Sequence, residues 1–310
     1  MSDIDREIDI GENHRITLHL FNPNSDKILI CFPPRGGGRM AKRGFGTLLC
    51  EKYAWNQIYV DKTRHSEFRH LSLSKFYDAV SPYLRGMDVI SYGSSIGGYA
   101  ALYFGGTINA RILAASPRNS SHPILSGNLD NTDNFNHIKY LSEVPASSHS
   151  PYILYDTRQA KDHRMVENWV LPAYPTAKII DIPNSGHRSL EKLKKSGTLS
   201  TMIKSFVEAK FIDRVDIEPK EGTDLKLLDD ALQAYLVGDY KTALVTLSDF
   251  EINALQKSNL LPVYIDSLEK TESTQFIYKL RTSYLSGRVD ANSIKPIKLR
   301  NRFMALIEGK

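Results

Sequence analysis

Residues 87–104, MDVISYGSSIGGYAALYF, run from a short β-branched segment through Gly93-Ser94-Ser95-Ile96-Gly97-Gly98 into an apolar stretch. A serine with glycine two positions before and two positions after it, between a strand and a helix, forms the pattern G-x-S-x-G. Its turn is so tight that side chains at Gly93 and Gly97 would clash. Ser95 is therefore presented at the end of a strand, beside the N-terminus of the next helix. The dipole and free N–H groups of that helix favour a developing negative charge. Such a hydroxyl suits nucleophilic attack. Two later segments hold further reactive groups. Asn184-Ser185-Gly186-His187 follows the apolar run AKIIDIP, and His187 alone of nine histidines sits beside glycine just beyond a strand. YILYDTRQAKDHRMVENW places Asp156 at a strand end and Asp162 six residues later, at the start of a helix-compatible stretch.

The Gly93–Gly97 segment resembles the nucleophile elbow of the α/β-hydrolase superfamily, and the resemblance extends over roughly residues 15–210, with an acid and a histidine following in the family's order. It implies an α/β fold, a mostly parallel sheet flanked by helices, and an acyl-Ser95 intermediate. His187 would serve as general base and then general acid. Asp162 fits the family's acid, a few residues past the strand and before a helix, where it could also act as N-cap. Asp156 is the alternative acid, nearer the sheet, where a charged carboxylate needs partners. The oxyanion hole would take one N–H from Ile96. The second would come from the loop CFPPRGGGRM, in which Pro33 and Pro34 have no N–H and Arg35 offers the first. This loop departs from the His-Gly pattern of many lipases and esterases.

The implied activity is that of a carboxylesterase-like serine hydrolase. Residues 117–151, rich in Ser, Asn and His, read as an inserted cap, hydrophilic where a lipase lid would be apolar. The expected substrate is therefore a small or polar acyl ester, such as an acylated sugar. Acyl transfer by the same residues, and a catalytically silent binding or scaffold module, are the competing readings. No organic cofactor is needed. No His-Glu-x-x-His or Cys/His cluster suggests a metal.

These groups need a scaffold. The runs 28–32, 57–61, 87–92, 111–116, 152–156 and 177–182 lack polar alternation, as strands buried on both faces do. Helix-compatible stretches at 71–84, 96–104 and 162–170 lie between several of them. RITLHLF (15–21) alternates and reads as an antiparallel edge strand. The texture changes near 213–222, which includes EPKEG and reads as a linker between a hydrolase domain (1–212) and a helical domain (223–310). Within 224–250, Ala234-Tyr235, Gly238-Asp239-Tyr240 and Ala243-Leu244 weakly resemble the centre of a tetratricopeptide repeat. Such a domain would suit a protein partner.

Composition narrows the rest. The 310 residues are 41% hydrophobic and 24% charged, which fits a globular chain and argues against disorder. No run approaches the roughly 20 apolar residues of a membrane helix. A net charge of +5 is too small to argue for nucleic acid. MSDIDREIDIG lacks the basic and apolar parts of a secretory signal. The two cysteines, Cys31 and Cys50, read as reduced, so the expected location is the cytoplasm.

Overall fold

The six apolar runs of the first two-thirds join RITLHLF and one charged N-terminal strand in one eight-stranded sheet, in the order β1-β2-β4-β3-β5-β6-β7-β8. The strands are β1 (Ile4–Ile10), β2 (His14–Leu20), β3 (Lys27–Phe32), β4 (Asn56–Lys62), β5 (Asp88–Ser94), β6 (Arg111–Ala115), β7 (Tyr152–Tyr155) and β8 (Lys178–Asp181). The structure is a computed structural model and describes residues 4–37, 40–64, 66–126, 135–212, 224–258, 260–294 and 296–309. β2 runs antiparallel to β1 and β4, and every other pairing is parallel. The expected mostly parallel α/β sheet is therefore borne out. Two expectations need correcting: RITLHLF is antiparallel but not an edge, and the run 177–182, read as buried on both faces, is the largely exposed edge strand β8. The other edge is β1, whose IDREIDI carries charge on a largely exposed strand. Charge of this kind discourages pairing with another chain, and it also hides the strand from a search for apolar runs.

Helices cover both faces. α1 (Thr47–Tyr53), α2 (Leu73–Val80) and α3 (Ile96–Gly105) come first, followed by the short α4 (Pro123–Ser126) and α5 (Ala160–Met165). α6 (Ser189–Lys195) and α7 (Leu199–Glu208) complete this part of the chain. α3 is buried along its whole length, which is why its sequence has no polar face. It packs on one side of the sheet with Phe32, Val60, Phe76 and Trp169. The other side is filled by Leu29, Cys31, Cys50, Leu154, Leu193 and Phe206. Both cysteines are free, and burial pushes the Cys50 thiol up.

The chain divides into two compact units, Met1–Ile217 and Glu218–Lys310. Residues 213–222, read as a linker, lie outside the described residues. The second unit contains α8 (Asp224–Leu236), α9 (Tyr240–Leu247), α10 (Ile252–Lys257), α11 (Leu261–Thr271), α12 (Thr274–Leu285) and α13 (Ile297–Glu308). α8 and α9 are joined by a turn in which Gly238 takes φ 87° and the Asp239 carboxylate accepts the Thr242 N–H. Its own core includes Leu244, Leu255, Ile265, Leu268 and Phe303.

The middle of the 117–151 insertion, 127–134, also lies outside the described residues. Its ends are less polar in their surroundings than in their composition. His122, Phe135 and His137 are buried against Tyr99, Tyr103 and Trp169. Each histidine has a fixed neutral tautomer. His122 donates from Nε2 to the Lys139 carbonyl and accepts the Ile124 N–H at Nδ1. His137 donates from Nε2 to the Phe68 carbonyl and accepts the Tyr99 hydroxyl at Nδ1. Burial pulls both down to about 4. As pH falls, protons therefore bind the unfolded chain first, from about pH 6.5, so stability declines towards pH 4. Each histidine should account for about 3 kcal/mol of that loss. Thermal melts across this range should show a falling Tm that flattens in the His122→Gln/His137→Gln protein; an unchanged slope in that variant would contradict the assignment.

Candidate active site

β5 ends at Ser94 and α3 begins at Ile96, so Ser95 forms the whole connection. Its backbone takes φ 57°, ψ −121°, a costly conformation for a side chain other than glycine. The surroundings hold it there. Its N–H bonds to the Ala115 carbonyl at 2.8 Å, and its carbonyl accepts N–H groups from Tyr99 (3.0 Å) and Arg118 (3.1 Å). The glycines have a steric reason to be there. A Cβ on Gly93 would lie 2.0 Å from the Gly97 carbonyl oxygen, and one on Gly97 would lie 2.1 Å from that of Phe32. Neither neighbour can give way, because both are backbone atoms.

Three residues widely separated in sequence meet at this turn. Ser95 Oγ lies 2.7 Å from His187 Nε2. His187 Nδ1 lies 2.9 Å and 2.8 Å from the two carboxylate oxygens of Asp162. Nδ1 therefore donates to the carboxylate, which leaves Nε2 free to accept the serine proton. Asp162 is fully buried in the first turn of α5. It does not cap that helix, because Gln159 occupies the cap position. After Met165 the helix widens to a π-helical turn, Val166–Val170, which buries Trp169.

The structure separates the two acid candidates. Asp156 does not reach His187. One of its oxygens accepts the N–H and Nε of Arg158, and the other accepts the Gly186 N–H at 3.0 Å. It thus ties down the turn before His187, in which Asn184 and Gly186 both have positive φ. Its role is to anchor the histidine loop.

Arg118 is a residue the sequence reading missed. Its Nη1 lies 3.2 Å from Asp162, so a cation stands beside the buried carboxylate as well as the imidazole. Burial lowers the tendency of Arg118 to stay charged, and the Asp162 carboxylate opposes that. No local motif marks this residue, because the contact joins the loop after β6 to the helix after β7.

The two expected oxyanion donors flank the same turn. Ile96 opens α3, so its N–H falls in the first turn, where no preceding helical carbonyl exists to take it. Arg35 opens a short 3-10 turn, Arg35–Gly37, just beyond the Phe32 and Pro33 carbonyls that a Cβ on Gly97 would meet. Among the described residues, no group of three or more His, Cys, Asp and Glu side chains is arranged to hold a metal ion.

No family model matches this sequence, and no curated protein matches it. Among solved structures, the chain is similar to a dienelactone hydrolase from Anabaena variabilis at 16% identity and TM-score 0.46, covering 68% of this chain and 99% of that one. It is similar to an esterase from Pyrococcus furiosus at 14% identity and TM-score 0.46, covering 68% and 92%. A sugar hydrolase from Lactococcus lactis shares 9% identity at TM-score 0.45, covering 67% and 98%. The strand order and the strand–serine–helix turn after β5 identify the larger unit as an α/β-hydrolase-type fold.

Proposed function

We propose that the protein is a serine hydrolase that cleaves a small or polar acyl ester through an acyl-Ser95 intermediate. The observation that carries this reading is the continuous contact from Ser95 Oγ through His187 to Asp162. In the first half-reaction His187 Nε2 takes the hydroxyl proton as Oγ attacks the ester carbonyl. Asp162 stabilises the resulting imidazolium. The tetrahedral oxyanion is held by the N–H groups of Ile96 and Arg35, and losing one such donor typically costs about 3–4 kcal/mol. Collapse breaks the bond to the alcohol oxygen, which leaves with the proton from His187. In the second half-reaction water attacks the acyl-serine, His187 takes its proton, and Oγ departs with that proton as the acid is released.

The preference for a polar ester is supported by the composition of the insertion, whose first described end places Arg118 next to the serine turn. Among the described residues no helix is long and apolar enough to cross a membrane. Mixing the protein with excess 4-nitrophenyl acetate, whose good leaving group makes deacylation the slower step, should release a burst of about one nitrophenolate per chain before the steady state. Turnover without a burst at any temperature, together with no trapped acyl-serine by mass spectrometry, would contradict the covalent route.

A further inference from the structure

Three arginines occupy the rim formed by the carboxyl ends of the strands, and each stands over a buried carboxylate. Arg35, in the loop after β3, is bonded to Glu67. Arg118, in the loop after β6, touches Asp162. Arg158, after β7, is bonded to Asp156. The exposures divide by sign. The three arginine side chains are 57%, 21% and 41% exposed, whereas their carboxylate partners are 4%, 0% and 7% exposed. The negative charge faces the protein and the positive charge faces the solvent, around the serine.

The register brings two of these cations to either side of the nucleophile. Phe32 of β3 pairs with Gly93, and Ala115 of β6 pairs with Ser94. Arg35 and Arg118 each lie three residues beyond those pairs, so they flank Ser95 from its two neighbouring strands. Arg118 has no side-chain hydrogen bond among the described residues beyond its ionic contact with Asp162, so guanidinium donors remain open. Glu67 also accepts the Ser121 hydroxyl at 2.7 Å and so ties the two flanking loops together. Lys62, at the end of β4, is buried with no hydrogen-bond partner for Nζ. Burial lowers the tendency of this lysine to stay charged, and the charges of Asp61 and Glu67 oppose that.

We infer that the ester carries an oxyanion group, a carboxylate or a phosphate, near its scissile bond, and that Arg35 and Arg118 bind it. This rests on the hydrolase reading for the word ester, but the anion site itself can be tested without turnover. Planar guanidinium groups pair with both kinds of oxyanion through parallel hydrogen bonds. The site lies where open α/β sheets bind ligands, outside the carboxyl ends of the strands.

The test uses the full chain with Ser95→Ala, so that esters bind without reacting. Calorimetry would compare methyl butyrate with monomethyl succinate, 4-acetoxybenzoate and phenyl phosphate. At least one anionic probe should bind tenfold or more tightly than the neutral ester. Which one does so distinguishes a carboxylate on the acyl side, a carboxylate on the alcohol side, and a phosphate. Adding Arg118→Gln or Arg35→Gln should reduce that preference at least fivefold, and Arg118→Lys should restore part of it. Arg35 is the safeguard if Arg118→Gln fails to fold, since its side chain is mostly exposed. Equal binding of all four probes, or a preference that survives both glutamine variants, would overturn the inference. Arginine-dependent anion binding in a protein whose native form neither cleaves esters nor forms an acyl-serine would support the anion site while removing the hydrolase reading.

Discussion

Ser95→Ala should lower kcat for ester hydrolysis by about 10⁶-fold, and His187→Ala by a similar factor. The two residues act in one proton transfer, so the double variant should be no slower than either single one. Their 2.7 Å contact is the reason. Without the hydroxyl there is no nucleophile for the imidazole to activate, and without the imidazole the hydroxyl keeps its proton. Activity that survives should reflect binding and the oxyanion donors alone, about 10³-fold above water. KM should change little, since neither side chain is needed to hold the ground state. The measurement is steady-state kinetics on folded variants. Losses that multiply in the double variant would mean that Ser95 and His187 serve separate functions.

The second large effect separates the two aspartates. Asp162→Asn should lower kcat by about 10⁴-fold, because an amide in that position no longer fixes the Nδ1–H tautomer or stabilises the imidazolium. It also leaves Arg118 beside a neutral group in a buried setting, which adds a cost in stability. Asp156→Asn should be far milder, within about 100-fold, because among the described residues its carboxylate reaches only Arg158 and the Gly186 N–H. Its effect should come from a looser His187 loop. The comparison is made at equal folded fraction, checked by circular dichroism. If Asp156→Asn is the more damaging of the two, the roles assigned to these carboxylates are exchanged.

The parts of the fold that could be read from sequence are those whose cause is local. Strands buried on both faces show as unbroken apolar runs, and β3 to β7 are legible for that reason, whereas β8 carries the same apolar pattern as an exposed edge strand. The serine turn was visible because its steric demand falls on two fixed positions, Gly93 and Gly97. Asp162 could be preferred over Asp156 from its place past the strand, although its expected capping role went to Gln159. What could not be read depends on contacts between distant segments. Arg118 acquires its significance only when the loop after β6 meets α5. β1 is held by pairing with β2, and its alternating charges give no apolar signal. His122 and His137 sit in a segment that looks polar in composition, yet aromatic neighbours from α3 and Trp169 enclose them. The sequence could place a hydrophilic insertion there, but not its buried ends.

The most direct test of an activated serine is labelling by a fluorophosphonate probe, which bonds to a serine only when a neighbouring base takes its proton. The native protein, Ser95→Ala and His187→Ala would be compared at matched concentration. The account predicts rapid labelling of the native protein at Ser95 and none in either variant. A well-folded native protein that stays unlabelled, or a Ser95→Ala variant that labels as fast as the native one, would contradict it.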